Sequence, residues 1–78
     1  MTKIEEEMKM KYTVKYNDHE TVVEVRKSKQ GYIRAAQKAL KAIGITSFIM
    51  YDWSWYENGR WNWELTTGGK KFFVSRDA

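Results

Sequence analysis

The sequence predicts an α+β fold with two layers, in which one amphipathic helix packs on a mostly antiparallel five-stranded sheet in the order ββαβββ. Three observations predict this fold. Residues 9–27 and 47–76 alternate apolar and polar side chains with the period of two that strands show. Residues 29–44, between them, change to the helical period. Turn residues stand where the strands have to reverse, at Asn58-Gly59 and Gly68-Gly69.

The 78 residues are enough for a single domain, and its core has to be built from large side chains. Four Trp, five Tyr and three Phe supply it, because each ring buries roughly 150–250 Å². The chain has no cysteine, so we expect no disulfide and no thiolate metal site. No apolar run approaches the ~20 residues of a membrane span, and the charged start MTKIEEEMKMKY is unlike a secretory signal. We therefore expect a cytoplasmic protein that does not bind membranes.

The first strand pair is expected over residues 9–27, after a short N-terminal turn or tail over residues 1–8. An even-length loop at NDHE pairs Tyr16 with Thr21 and keeps the apolar side chains of both strands on one face. An odd loop would mix the two faces, so we predict the even one. The basic residues expected to face outward from this hairpin are Lys9, Lys11, Lys15 and Arg26.

The helix is predicted from an apolar stripe within SKQGYIRAAQKALKAIGI. Its apolar residues have the i, i+3, i+4, i+7 spacing of a surface that faces a core. They are Tyr32, Ala35, Ala36, Ala39, Leu40 and Ile43. Ser28 is the expected N-cap. Gly44 is the expected left-handed stop, and Ile45 supplies the apolar residue that often follows such a glycine.

All four tryptophans lie in DWSWYENGRWNWEL, around the single Asn58-Gly59. A two-residue turn there pairs Glu57 with Arg60, but it scatters the tryptophans over both faces of the sheet. A three-residue loop that begins at Glu57 shifts the pairing by one residue and gathers them on one face. We predict this loop, which pairs Trp55 with Trp61, Trp53 with Trp63 and Tyr51 with Leu65. Trp53 and Trp63 are then expected in the core. The large apolar residues left off that face are Phe48, Met50, Tyr56 and Phe73.

The segment WSWYENGRWNW resembles the designed tryptophan-zipper hairpins, in which cross-strand indole pairs flank a tight Asn-Gly turn. The resemblance covers this segment only, departs at the extra residue Tyr56, and implies local stability without a biological function. A helix over residues 32–43 is only ~18 Å long, whereas a strand over residues 48–56 is ~30 Å long. We therefore expect the hairpin to overhang the helix. The residues of its exposed tip, a candidate site for a partner, are Trp55, Tyr56, Arg60 and Trp61.

The charges are distributed unevenly along the chain. The chain contains fourteen Lys and Arg residues but only ten Asp and Glu residues, and no acid occurs in residues 25–51. The basic residues of that stretch begin at the expected helix N-terminus, where free N–H groups and the helix dipole favour phosphate. We therefore expect a non-catalytic protein that binds RNA, DNA or a nucleoprotein machine through a basic helix face. The residues expected to contact the nucleic acid are Lys27, Lys29, Arg34, Lys38, Lys41, Lys9, Lys11, Lys15 and Arg26.

SKQGYIRAAQKALKAIG resembles the last helix of double-stranded-RNA-binding domains, which also places lysines before an alanine-rich helix that follows a strand. The resemblance covers about a fifth of the chain. It departs from that family because no first helix is expected and three strands follow the helix. What it implies is that Lys27, Lys29 and Arg34 contact phosphates.

Catalysis is not expected, and neither a cofactor nor a metal is implied. His19 is the only histidine, and the chain lacks both a Ser-His-Asp set and a glycine loop that could hold phosphate. Asp52 and Glu64 are expected opposite each other, near Lys71. Such a pair can act as general acid and base or bind a cation, but it is more often surface repulsion relieved by a nearby lysine.

Two other functions remain open. The size and the hairpin–helix–meander architecture resemble small phage accessory proteins, including anti-CRISPR and other anti-defence inhibitors. This resemblance implies an inhibitor or adaptor that binds a protein through the aromatic hairpin tip or a sheet face. The third function is homo-oligomerisation, through an open strand edge or the uncovered sheet face.

Overall fold

The computed structural model of the chain describes residues 9–77. The strands are β1 (Lys9–Tyr16), β2 (His19–Arg26), β3 (Ile49–Glu57), β4 (Arg60–Thr67) and β5 (Lys70–Asp77), and the helix α1 (Gly31–Ala42) lies between β2 and β3 in the chain. The strands form one sheet in the order β2-β1-β5-β4-β3, and every neighbouring pair is antiparallel. The predicted α+β class, with one helix and a five-stranded antiparallel sheet, is confirmed. The N-terminal turn or tail predicted over residues 1–8 lies outside the described residues.

The core lies between α1 and the middle of the sheet. α1 makes its main contacts with β2, β1 and β5. The buried residues are Tyr12, Val14, Ala35, Ala36, Ala39, Leu40, Leu65, Phe72 and Val74. Within the predicted helical stripe, the alanines and Leu40 are buried, whereas Ile43 is exposed because the helix has already ended there. Gly31 lets the helix approach β1 closely, since a Cβ atom at this position would overlap the Tyr12 hydroxyl group.

The two ends of α1 differ in how far they agree with the sequence prediction. At the C-terminus, Gly44 has φ +83°, and the Ile45 N–H donates to the Leu40 carbonyl at 2.9 Å. This is the predicted left-handed stop, and it is confirmed. At the N-terminus the prediction of Ser28 is wrong, because the N-cap is Gln30 and has no side-chain capping bond. Ser28 lies two residues before this N-cap, where its carbonyl accepts the Gly31 N–H at 3.2 Å.

The first hairpin turns more tightly than predicted. Tyr16 pairs with His19, so the predicted pairing of Tyr16 with Thr21 is wrong by two residues. Asn17 has φ 54°, a conformation that asparagine tolerates in two-residue hairpin turns. A shift of two residues leaves every side chain on its predicted face. The basic residues Lys9, Lys11, Lys15 and Arg26 are therefore exposed on the face that α1 does not cover.

The second hairpin contradicts the predicted three-residue loop. Asn58 and Gly59 both have positive φ, 54° and 75°, which is the conformation of a two-residue turn. Glu57 consequently pairs with Arg60, and neither predicted pair of tryptophans forms. The observed pairs are Tyr56 with Trp61, Trp55 with Asn62, Ser54 with Trp63 and Trp53 with Glu64. A β-bulge between Tyr51 and Trp53 then shifts the register by one residue, so that Tyr51 pairs with Leu65 as predicted.

This register divides the tryptophans between the two faces of the sheet. Trp63 lies on the face that carries α1, partly buried, and stacks on Tyr32 with ring centroids 4.9 Å apart and planes 3° apart. Burial of the Tyr32 phenol, with a contribution from Tyr51, raises its pKa above the usual value of 10.0. Trp53 lies on the opposite face and is 52 % exposed. The prediction that Trp53 belongs to the core is therefore wrong.

Candidate nucleic-acid interface

The sheet separates the predicted basic residues into two groups. We call the side of the sheet that carries α1 the helix side. Its predicted contacts are Lys27, Lys29, Arg34, Lys38 and Lys41. The other side is the open face. Its side chains include Lys9, Lys11, Thr13, Lys15, Arg26, Trp53, Trp55, Arg60, Asn62, Glu64, Lys71, Phe73 and Ser75. No single surface of the molecule therefore presents all nine predicted basic residues.

The open face has a groove of about 790 Å³ in which every cation is close to an acid. Lys15 lies 4.0 Å from Glu20, and Arg60 lies 3.1 Å from Asp77. Lys71 lies 3.7 Å from a carboxylate oxygen of Asp52 and 3.7 Å from one of Glu64. Each groove cation therefore already has an acidic partner within the protein.

The two carboxylates that sequence analysis singled out belong to this network. The predicted closeness of Lys71 to both of them is confirmed. Thr66 Oγ1 donates to Asp52 Oδ2 at 2.6 Å, and Trp53 Nε1 donates to a Glu64 carboxylate oxygen. Because each carboxylate already has a cation and a hydrogen-bond donor, the arrangement is that of a surface ion network. Within residues 9–77, no group of three or more His, Asp or Glu side chains is placed to hold a metal ion.

Among residues 9–77, the helix side is basic and carries few acids to oppose that charge. Its five predicted residues are all exposed. Among residues 9–77, none of these five has an acidic side chain within ion-pair distance. Lys38 Nζ donates instead to the backbone carbonyl of Glu24 at 3.2 Å, which holds its ammonium group between α1 and β2. Arg34 and Lys41 are exposed side chains of α1.

Arg76 is a sixth basic residue of the helix side, and sequence analysis missed it. With Lys27, Ser28 and Lys29 it lines a shallow cavity of about 390 Å³ beside β1. Its guanidinium group donates to the Asp77 carbonyl at 3.2 Å. The strand period of β5 would place Arg76 on the same face as the buried Phe72 and Val74, and this could be read from the sequence. The proximity of Arg76 to the lysines could not, because it depends on β5 lying next to β1.

The four residues predicted for the hairpin tip are divided between the faces. Trp55 and Arg60 lie on the open face, where Trp55 Nε1 donates to Glu57 at 3.2 Å and Arg60 contacts Ser75 at 3.0 Å. Tyr56 and Trp61 lie on the helix side, where they pair with each other across β3 and β4. Their rings meet edge to face with centroids 5.0 Å apart. The predicted tip is therefore two separate aromatic sites.

Within the described part of the chain, no helix has both the length and the apolar character needed to cross a membrane. Comparison with protein families, with curated proteins and with solved structures found no match.

Proposed function

We propose that this protein binds nucleic acid, and that the helix layer of its two-layer fold contacts the phosphates. The observation that carries the proposal is the segregation of charge between the two sides of the sheet. The cations of the open-face groove each lie within 4.0 Å of an acid. The helix-side cations come mainly from the acid-free residues 25–51. They are Lys27, Lys29, Arg34, Lys38, Lys41 and Arg76.

Phosphate binding favours cations that the protein has not already paired. A cation that neutralises a phosphate releases condensed counterions, and this release supplies most of the sequence-independent affinity. In the open-face groove, a phosphate would have to compete with Glu20, Asp77 or the two carboxylates around Lys71. On the helix side, the described residues set no such competition.

The N-terminus of α1 adds to the positive potential of this side. The first turn of the helix contains no acidic side chain, and Gln30 makes no side-chain capping bond. Within residues 9–77, neither an acidic side chain of the first turn nor a side-chain cap therefore offsets the positive end of the helix dipole. The neighbouring Lys27 and Lys29 reinforce a potential that favours a phosphate group. Contacts of this kind position nucleic acid without reading its sequence, so we expect weak sequence preference.

Two variants of equal charge test this proposal. The triple variant Lys27→Ala, Lys29→Ala and Arg34→Ala removes helix-side cations, whereas Lys9→Ala, Lys11→Ala and Lys15→Ala removes as many from the open face. We expect only the first to weaken binding strongly. Its log–log salt dependence should become shallower by about 0.9 per lost contact on duplex DNA, or about 0.7 on a single strand. Fluorescence anisotropy of labelled oligonucleotides over a salt series measures both quantities. Equal losses in the two variants would show that only net charge matters and would contradict the proposal.

An inhibitor or adaptor of the phage anti-defence type is the second candidate, favoured by the exposed Tyr56 and Trp61. Such a protein would bind a protein partner through this aromatic pair. A pull-down with and without nuclease distinguishes the two functions. Loss of all bound material on complete digestion supports nucleic-acid binding. A protein partner retained unchanged after digestion supports the inhibitor.

A further inference from the structure

We infer that the nucleic acid bound by the helix side is single-stranded, and that its bases stack on Trp61 and Tyr56 beside a phosphate contact at Arg76. This inference rests on the proposed function and names the class of nucleic acid that the site takes.

The three side chains form one row across the sheet. Arg76 pairs with Trp61 on the neighbouring strand, and Trp61 pairs with Tyr56 on the next. Directly paired residues project from the same face of a sheet. Adjacent strands lie about 4.8 Å apart, so the row from Arg76 to Tyr56 is about 10 Å long. Beyond Arg76 the cavity that it shares with Lys27 and Lys29 continues the basic end of the row.

The two rings of this row are accessible because α1 covers only part of the sheet. The helix packs mainly on β2, β1 and β5 and makes fewer contacts with β4 and β3. Tyr56 is 54 % exposed and Trp61 is 39 % exposed. Aromatic rings that follow a line of cations are the combination that proteins use to bind single strands, with bases on the rings and phosphates on the cations.

The dimensions and the chemistry favour a single strand over a duplex. A stacked strand advances about 3.4 Å per nucleotide, so about three nucleotides span the row. A duplex keeps its bases stacked on each other and offers only its backbone and groove edges to the rings. The aromatic residues of the open face suit a strand less well. The indole nitrogens of Trp53 and Trp55 donate to Glu64 and Glu57, and the cations nearby are paired with acids.

The test compares two double variants that each remove two exposed aromatic side chains. Tyr56→Ala with Trp61→Ala removes the helix-side pair, and Trp53→Ala with Phe73→Ala removes rings from the open face. The probes are labelled oligothymidylate, labelled oligouridylate and a hairpin duplex of matched length. We expect the helix-side variant to lose roughly five- to 150-fold in single-strand affinity for each stacked ring. Its duplex affinity and the control variant should change little, and Trp61→Phe should retain most of the binding.

The outcomes separate this inference from the proposed function. Equal affinity for single strands and duplex, unchanged in the Tyr56/Trp61 variant, would overturn the inference. The proposed function would still stand if the Lys27/Lys29/Arg34 variant lost affinity. Failure of the wild-type protein to bind any of the probes would overturn both. A circular-dichroism spectrum verifies the fold of each variant. If the double variant unfolds, the exposed position tested alone, as Tyr56→Ser, decides the question.

Discussion

Phe72→Ala is expected to lower the free energy of unfolding by about 3–5 kcal/mol, the cost of truncating a core aromatic residue. Phe72 is 1 % exposed in the central strand β5, where it pairs with Leu65 and its ring lies 6.0 Å from that of Tyr16. The total free energy of unfolding of a native domain is only about 5–15 kcal/mol. The variant should therefore unfold at a much lower urea concentration than the wild-type protein.

The neighbouring residue provides the matched control. Phe73→Ala removes the same side chain from the next position, where the ring is 43 % exposed on the open face. The substitution removes an edge-to-face contact with Trp55, whose ring centroid lies 6.5 Å from that of Phe73, but it leaves no buried cavity. We expect a change within about 1 kcal/mol, as for other exposed substitutions. Equal losses at the two positions would contradict the assignment of the sheet faces.

Trp63→Ala is expected to cost about 3 kcal/mol, the lower end of the range for a buried aromatic residue, because its indole is only partly buried. The substitution removes the stack on Tyr32 and a contact with Tyr12, whose ring centroid lies 5.8 Å away. Trp53→Ala, on the open face, should cost much less. Urea denaturation of both variants measures the difference. Similar costs would instead support a register in which both tryptophans pair in the core.

The strand period predicted the elements well and the register poorly. Alternation alone assigned the faces of the first hairpin correctly, because the error of two residues preserves the period. The register predicted for the tryptophan hairpin was wrong because the extra residue forms a bulge near Asp52 and does not lengthen the turn at Asn58-Gly59. A bulge has little sequence signal, whereas Asn-Gly strongly favours the two-residue turn. The rule that large apolar residues share one face therefore predicted the wrong pairing, because Trp53 and Trp55 face away from α1.

The candidate site was visible in the sequence only as a charge pattern. The acid-free residues 25–51 could be recognised directly, and they carry most of the helix-side cations. The strand period already turns Lys9, Lys11 and Lys15 away from the apolar face on which the helix packs, so the sequence held the signal that separates them from the helix-side cations. It could not bring Arg76 to the lysines, because their proximity depends on the sheet order β2-β1-β5-β4-β3. Pairing between distant strands is decided by packing of the whole domain, which no local pattern records.

A nitrogen–proton correlation spectrum, recorded during titration with oligothymidylate, tests most directly whether the helix side binds nucleic acid. Each tryptophan contributes a separate indole N–H signal, so the two faces are reported independently. We expect shifts in the backbone amides of residues 27–41 and Arg76 and in the indole signal of Trp61. The indole signals of Trp53 and Trp55 and the amides around Lys11 should stay in place. Shifts confined to Trp53, Trp55 and the open-face groove, with residues 27–41 unchanged, would contradict the account.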